Sequence, residues 1–166
     1  MNLDRLHAWS APDARAAFRR CCGAARWAAQ MAARRPFRNA AELVAVAEQV
    51  WQALDRADWL EAFAAHPQIG DLASLRAKFA TTGAWAAGEQ AGVAGAAEAV
   101  LQGLADGNAA YEAKFGYIFI VCATGKTAAE MLALLRERLA NDPDEELRIA
   151  AAEQMKITLL RLEKLE

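Results

Sequence analysis

His66 is the residue whose type and setting best suit it to acid–base chemistry. It precedes Pro67, and a residue before a proline is disfavoured in the right-handed helical region, so the helical run before it should end there. Pro67 fixes its own backbone, Gly70 permits a sharp turn, and Asp71 can cap the next helix. We therefore predict an imidazole at a helix end that exchanges protons near neutral pH. The alternative is a helix terminator with a half-buried histidine.

Glu89 is the most informative acid in the chain. On a helix its neighbours one turn away are Trp85 and Val93, so its carboxylate projects from an apolar face. A buried carboxylate needs a partner or a raised pKa. Gln90, on the next stripe, supplies an amide donor and acceptor beside it. The alternative is a glutamate at the edge of the core that reaches water.

Arg161 is a third candidate, one turn after Ile157 and one turn before Leu165. A guanidinium on this apolar stripe can bind a carboxylate or carbonyl oxygen through two nitrogens. The alternative is a side chain whose stem covers the core while its charged end reaches solvent.

Gly125-Lys126-Thr127 matches the end of a phosphate-binding loop, but the rest of that motif is absent. The pattern requires a glycine five residues before Gly125, where Ile120 stands. We interpret the three residues as a turn followed by a helix cap.

Length and charge limit the classes of function. A chain of 166 residues, 55% of them hydrophobic, fits one globular domain over 1–166. The net charge of −2 gives no general attraction to nucleic acid or to an anionic membrane, so small molecules and proteins remain as partners, and we expect a small-molecule substrate. No targeting signal or membrane-spanning run is evident, and we expect a cytoplasmic protein.

The cysteines and histidines do not suggest a metal site. Cys21, Cys22 and Cys122 are an odd number in no zinc or redox spacing, so we expect reduced, mainly structural thiols. Only His7 and His66 remain as nitrogen ligands, and no carboxylate cluster is evident. We predict that no metal is bound.

Hydrophobic periodicity predicts an all-α, single-domain bundle of about seven to nine helices with one short extended segment. Helix caps are expected at Ser10, Asn39 and Thr127. One helix should run over 14–34, another over 84–104 with a break at 106–108, and a last one from 141–145 to the C-terminus.

Residues 117–123 form a continuous apolar run, rich in aromatic and β-branched side chains, and are the one strand-like part of the chain. No second strand is available to pair with them. Because buried peptide groups are seldom left unpaired, these need helices, water or a ligand as partners.

Several motifs together resemble the OHCU decarboxylase family of urate breakdown, a branch of purine catabolism. They are His-Pro-Gln-Ile-Gly-Asp at 66–71, Gly-Glu-Gln-Ala-Gly at 88–92, residues 108–116, the junction 138–142, and Lys-Ile-Thr-Leu-Leu-Arg-Leu at 156–162. The resemblance spans almost the whole chain. It implies an all-α fold and cofactor-independent decarboxylation of 2-oxo-4-hydroxy-4-carboxy-5-ureidoimidazoline (OHCU) to (S)-allantoin.

The resemblance also implies the site residues. His66 and Glu89 fall on the catalytic positions of the family. The substrate-contacting positions are Pro67, Ala86, Gln90, Arg161 and the backbone of Ile118, Phe119, Ile120, Val121 and Cys122. Two residues depart from the family pattern: Ala86 stands where serine is usual, which removes one hydroxyl contact, and Gln68 stands where arginine is frequent.

The implied chemistry needs no pyridoxal phosphate, thiamine or metal, because the electron pair left by CO2 can delocalise into the substrate ring. We expect His66 to exchange a proton with the reacting centre and Glu89 to help orient the substrate. A neighbouring carboxylate would favour the imidazolium form of His66. Arg161 and the backbone of 118–122 would stabilise the developing charge.

Two other functions remain open. The first is a helical acid–base enzyme that acts on another ureido or hydantoin substrate, which the departure at Ala86 allows. The second is a non-catalytic helical interaction module in which His66 and Glu89 form a structural pair. A homodimer is compatible with each of these functions.

Overall fold

The computed structural model describes residues 3–67, 72–80 and 90–165. These residues form nine helices and no strand, so the predicted all-α class and the predicted range of seven to nine helices are confirmed. The helices are α1 Leu3–Ala8, α2 Ala11–Cys21, α3 Ala25–Ala33, α4 Ala40–Gln52, α5 Arg56–Ala64, α6 Leu72–Ala80, α7 Gln90–Phe115, α8 Ala128–Leu139 and α9 Pro143–Glu163. Within these described ranges, no helix has both the length and the apolar character needed to cross a membrane.

Contacts group the chain into two units. The first comprises Met1–His66 with Ile149–Glu166, and the second comprises Pro67–Arg148. Helices α1 to α5 and most of α9 belong to the first unit, whereas α6, α7, α8 and the first residues of α9 belong to the second. A single domain over 1–166 stays a prediction.

The first unit is built around buried tryptophans. The ring of Trp27 packs edge-on against Phe18, with 5.9 Å between centroids, and its indole nitrogen donates to the carbonyl of Ala47 at 3.1 Å. The indole nitrogen of Trp51 donates to the carbonyl of Ala151 at 3.0 Å. Because buried indole N–H groups need such partners, these bonds fix α3 against α4 and α4 against α9.

The single helix predicted over 14–34 is wrong, because the chain forms α2 and α3 with a break between them. At Gly23 a Cβ atom would lie 2.2 Å from the Cβ of Ala65, so the end of α5 occupies the space that a side chain would need. The N–H of Ala25, at the start of α3, donates to Glu61 Oε2 at 3.0 Å. The break between α2 and α3 therefore follows from a contact between residues far apart in the sequence, which helical periodicity cannot predict.

The break predicted at 106–108 is also wrong, since α7 is continuous from Gln90 to Phe115. A Cβ on Gly107 would lie 2.6 Å from Leu135 Cδ2, and one on Gly103 would lie 3.0 Å from Leu132 Cδ2. The two glycines are one turn apart on the side of α7 that packs on α8. Close packing there offsets the cost of glycine in a helix, about 1 kcal/mol per residue.

The predicted caps are confirmed where the structure describes them. Side-chain oxygens of Ser10, Asn39 and Thr127 accept from the N–H three residues further on, at 3.3, 2.9 and 3.2 Å. Each satisfies a donor that the first turn of a helix cannot satisfy itself. The predicted cap at Asp71 and the predicted helix start at 84 lie outside the described residues.

The interpretation of Gly125-Lys126-Thr127 as a turn and a cap is confirmed. Gly125 has a φ of +77°, a conformation that favours glycine, and Thr127 caps α8 in a capping box with Glu130.

Candidate active site

His66 lies directly beyond α5, as predicted. Helix α5 ends at Ala64, and the N–H of His66 donates to the carbonyl of Phe63 at 3.1 Å in a last tight turn. Pro67 follows and is exposed, whereas the histidine itself is half-buried. The imidazole is therefore attached to a short, hydrogen-bonded helix end.

A buried glutamine of α9 contacts the imidazole. His66 Nε2 and Gln154 Oε1 are 2.6 Å apart, and Gln154 is completely buried. The side-chain amide nitrogen of Gln154 donates to Thr158 Oγ1 at 3.2 Å. The Thr158 hydroxyl donates to the backbone carbonyl of Gln154 at 3.0 Å. The sequence interpretation missed Gln154. The only signal was its spacing to Thr158 and Arg161, which places three polar side chains along one side of α9.

Arg161 lies near the same imidazole. It is half-buried, and its Nη1 donates to the carbonyl of Cys21 at 3.3 Å. Its positive charge also acts on His66. The structure therefore brings together two of the predicted site residues, His66 and Arg161, in the first unit.

The surroundings of His66 favour the neutral imidazole. Burial is the largest cause that lowers its pKa, and the charge of Arg161 lowers the pKa further. The hydrogen bond with Gln154 acts in the opposite direction without reversing the shift. The expected imidazolium depended on Glu89, which lies outside the described residues. The described neighbours act against that expectation.

Cys21 and Cys22 lie beside Arg161 and Thr158 but are not activated thiols. Cys21, Cys22 and Cys122 form no disulfide bond. Burial raises the pKa of both Cys21 and Cys22 to about 11, although the charge of Arg161 lowers it in part. Because the thiolate is the reactive form, both thiols are structural at neutral pH.

The predicted backbone site at 118–122 belongs to the second unit and is neither helix nor strand. Arg138 Nη1 donates to the carbonyl of Ile120 at 2.7 Å, and Lys126 Nζ donates to the carbonyl of Cys122 at 2.7 Å. Two cationic side chains therefore supply some of the partners that this segment needs.

Arg138 is itself fixed by a buried polar network. Its Nε donates to Glu146 Oε1 at 2.8 Å, and the two residues are only 6% and 0% exposed. The hydroxyl of Tyr111 donates to the same carboxylate, and Asn141 Nδ2 donates to Glu146 Oε2 at 2.8 Å. A buried ion pair is stable only when its polar atoms find partners in this way. The family resemblance covered Arg138 and Asn141 without assigning them a role.

The remaining predicted site residues are not described. Glu89, Ala86 and Gln68 lie outside the described residues, and Gln90 is described only as the first residue of α7. In the parts of the chain that the structure describes, no group of three histidine, cysteine or acidic side chains could hold a metal ion.

Together these features define a class, an all-α protein whose candidate acid–base site centres on a half-buried histidine at a helix end. Comparison with known proteins reduces that class to one family. The sequence model of the OHCU decarboxylase family matches residues 7–163. The chain belongs to the OHCU decarboxylase family.

Individual relatives agree with this assignment. The chain is 45% identical over 148 residues to "Uric acid degradation bifunctional protein TTL" of Arabidopsis thaliana, covering 87% of this chain and 45% of that protein. It is 43% identical over 56 residues to "2-oxo-4-hydroxy-4-carboxy-5-ureidoimidazoline decarboxylase" of Amia calva, covering 34% of this chain and 32% of that protein. The matched part is thus less than half the length of either relative.

Two solved structures share the fold. An OHCU decarboxylase crystallised in the presence of (S)-allantoin superposes with a TM-score of 0.71 at 45% identity, over 89% of this chain and 95% of that one. A crystal structure of (S)-allantoin synthase gives a TM-score of 0.70 at 19% identity, over 99% of this chain and 54% of that one. The second likeness concerns the fold alone.

Proposed function

We propose that this chain decarboxylates OHCU to (S)-allantoin without a cofactor, as a step of urate breakdown. The observation that carries the proposal is the half-buried His66, hydrogen-bonded to Gln154 close to Arg161. Membership of the OHCU decarboxylase family supports the substrate. The 45% identical OHCU decarboxylase, whose crystal structure was determined in the presence of (S)-allantoin, supports the product.

The proposed chemistry turns the hydroxyl-bearing carbon that loses CO2 into a carbonyl and adds a hydrogen to the neighbouring carbon that carries the ureido group. When the carbon–carboxylate bond breaks, its electron pair stays on the substrate and delocalises into the ring, so no electron sink from a cofactor is needed. One proton from solvent neutralises the charge left on the ring. A neutral imidazole of lowered pKa, such as His66, is suited to take the hydroxyl proton as the carbonyl forms and to return it to the ureido-bearing carbon. Protonation from one side gives a single enantiomer of allantoin.

The other site residues are proposed by their match to the family. Glu89 orients the substrate beside His66, and Pro67, Gln90 and Arg161 contact it. Arg161 and the backbone of 118–122 stabilise charge that develops on the ring. Ala86 has no hydroxyl, so the contact usual in the family at this position is missing.

A circular dichroism assay tests the activity. OHCU is generated freshly from urate with urate oxidase and hydroxyisourate hydrolase, and the (S)-allantoin signal is followed with and without the protein. We expect the signal to grow faster with the protein. A trace no faster than the spontaneous decay contradicts the proposal and would direct the assay to other ureido and hydantoin substrates.

The role of His66 is tested by His66→Asn, which should lower kcat by about 10²–10⁴-fold, the usual contribution of a general acid or base. His7→Asn is the matched control, because His7 is the other histidine of the chain and accepts from the N–H of Phe37. It should keep its turnover per folded molecule. Near-native turnover of His66→Asn would remove His66 from the mechanism.

We further propose a homodimer and a cytoplasmic location. Cys21, Cys22 and Cys122 form no disulfide bond, which fits a reducing compartment. Sedimentation equilibrium tests the dimer, which should show twice the chain mass of 17.9 kDa.

A further inference from the structure

Gln154 is a buried amide whose orientation is set by its own neighbours. It is completely buried, so both ends of the amide need partners. Its nitrogen donates to Thr158 Oγ1 at 3.2 Å, and the Thr158 hydroxyl donates to the backbone carbonyl of Gln154 at 3.0 Å. Thr158 Oγ1 is therefore an acceptor for the amide nitrogen. The amide oxygen must then face His66.

This orientation determines which ring nitrogen of His66 carries hydrogen. The amide oxygen is only an acceptor, so the nitrogen 2.6 Å from it, Nε2, has to be the donor. In a neutral imidazole only one nitrogen carries hydrogen, and the other has a basic lone pair. We infer that Gln154 is a positioning residue that holds neutral His66 with its hydrogen on Nε2, which leaves Nδ1 to exchange the proton in the reaction.

The described groups around His66 favour a neutral ring, which the inference requires. Burial and the positive charge of Arg161 lower the pKa of His66. The thiols of Cys21 and Cys22, with pKa values raised to about 11, are uncharged near neutral pH. Because only an uncharged imidazole has two tautomers, the hydrogen of the His66 ring can be assigned to one nitrogen in the free protein.

His7 provides an internal comparison with the opposite pattern. The N–H of Phe37 donates to His7 Nε2 at 3.0 Å, so in His7 this nitrogen accepts and Nδ1 carries the hydrogen when the ring is neutral. The chain has only these two histidines. We therefore expect one histidine of each tautomer in the same molecule.

The tautomers are measured by two-bond 1H–15N correlation of the full chain labelled with 15N-histidine, slightly above neutral pH. His7→Asn removes one set of signals and so assigns both rings. His66 should show a protonated Nε2 and an unprotonated Nδ1, and His7 the reverse. A protonated Nδ1 in His66, or averaging between the two forms, would overturn the inference. Because this measurement uses the wild-type chain, it does not depend on a variant that folds.

Variants test whether Gln154 is the cause. Gln154→Met keeps the side-chain length but removes both polar ends, so the His66 signals should move toward an average of both tautomers. Thr158→Ser keeps the hydroxyl and should leave the tautomer unchanged, whereas Thr158→Val frees the amide to rotate and should mix the forms. An unchanged tautomer in Gln154→Met would show that another group holds the ring.

The part of the inference that concerns catalysis rests on the proposed function. Gln154→Met should lower kcat by about ten- to hundredfold, the size of effect known for groups that orient metal-binding histidines, with KM nearly unchanged. Thr158→Ser, which keeps the hydroxyl, should have the kcat of the wild type. If wild-type His66 has its hydrogen on Nε2 but His66→Asn keeps full turnover, the tautomer stands and its catalytic role fails. If instead His66 lacks the hydrogen on Nε2 but His66→Asn is inactive, the catalytic role of His66 stands and the tautomer inference fails. The two proposals can therefore fail separately.

Discussion

Burial determines the protonation of His66 more strongly than its hydrogen bond does. Removal of the ring from water disfavours the charged form, and Arg161 adds a like charge, whereas Gln154 offers an uncharged oxygen. The same balance affects stability, because a pKa that differs between the folded and the unfolded chain makes unfolding depend on pH.

Stability should therefore fall with acid through His66. Its pKa is lowered from 6.5 in the folded chain, so below about pH 6.5 the unfolded chain binds this proton more readily. The free energy of unfolding is unaffected by this group above pH 6.5 and decreases as the pH falls toward the folded pKa. Urea unfolding at about pH 7.5 and about pH 5 should show a smaller loss for His66→Asn than for the wild type. Equal losses would contradict the lowered pKa.

Two helix junctions depend on the close approach of neighbouring elements. The turn between α2 and α3 leaves no room at Gly23 for a side chain, because Ala65, next to His66, fills that space. The start of α9 places Glu146 against Arg138, which in turn holds the carbonyl of Ile120. A contact between residues distant in the chain thus fixes one element end next to His66 in the first unit and another in the second unit.

Gly23→Ala should lower the free energy of unfolding by about 1–3 kcal/mol, the usual cost of an overpacked contact. Ala65→Gly removes the opposing Cβ, so the double variant should recover part of the loss. Urea unfolding of the wild type, both single variants and the double variant measures this coupling. Gly23→Ala as stable as the wild type, or a double variant no more stable than Gly23→Ala, would contradict the contact.

Glu146→Gln should be more costly, because it leaves the charge of Arg138 buried without a carboxylate. We expect a loss of about 3–5 kcal/mol, typical of a broken buried pair. Arg38→Gln breaks the exposed Arg38–Glu42 pair and is the control, with a much smaller effect expected. Similar losses for both variants in thermal or urea unfolding would mean that burial does not stabilise the Arg138 network.

At the scale of the whole molecule, α9 links the unfolding of the two units. Helix α9 is continuous from Pro143 to Glu163 and contributes residues to both. Unfolding of either unit would therefore unwind its own part of α9 and leave the other part with a new, unsupported helix end, which favours one cooperative transition.

We predict coincident urea transitions by tryptophan fluorescence and far-ultraviolet circular dichroism. Four of the five tryptophans, Trp9, Trp27, Trp51 and Trp59, lie in the first unit, whereas circular dichroism reports helices of both. Removal of the buried charge by Glu146→Gln should shift both curves equally. Two separate midpoints would show that the chain is not a single domain.

Local sequence determined the features that depend on residues a few positions apart. Ser10, Asn39 and Thr127 cap helices because each side chain reaches an N–H three residues away. Pro67 predicted the helix end at His66 through its effect on the preceding residue. The motifs around them also carried the family resemblance.

Tertiary structure decided what depends on residues far apart in the chain. Gly23 breaks a helix and Gly107 does not, because one lies against Ala65 and the other fits between α7 and α8. His66 obtains its hydrogen-bond partner from Gln154, 88 residues later. Periodicity shows which side of a helix is apolar, but it cannot show which distant side chain that side meets, so the partner of His66 could not be predicted from the sequence.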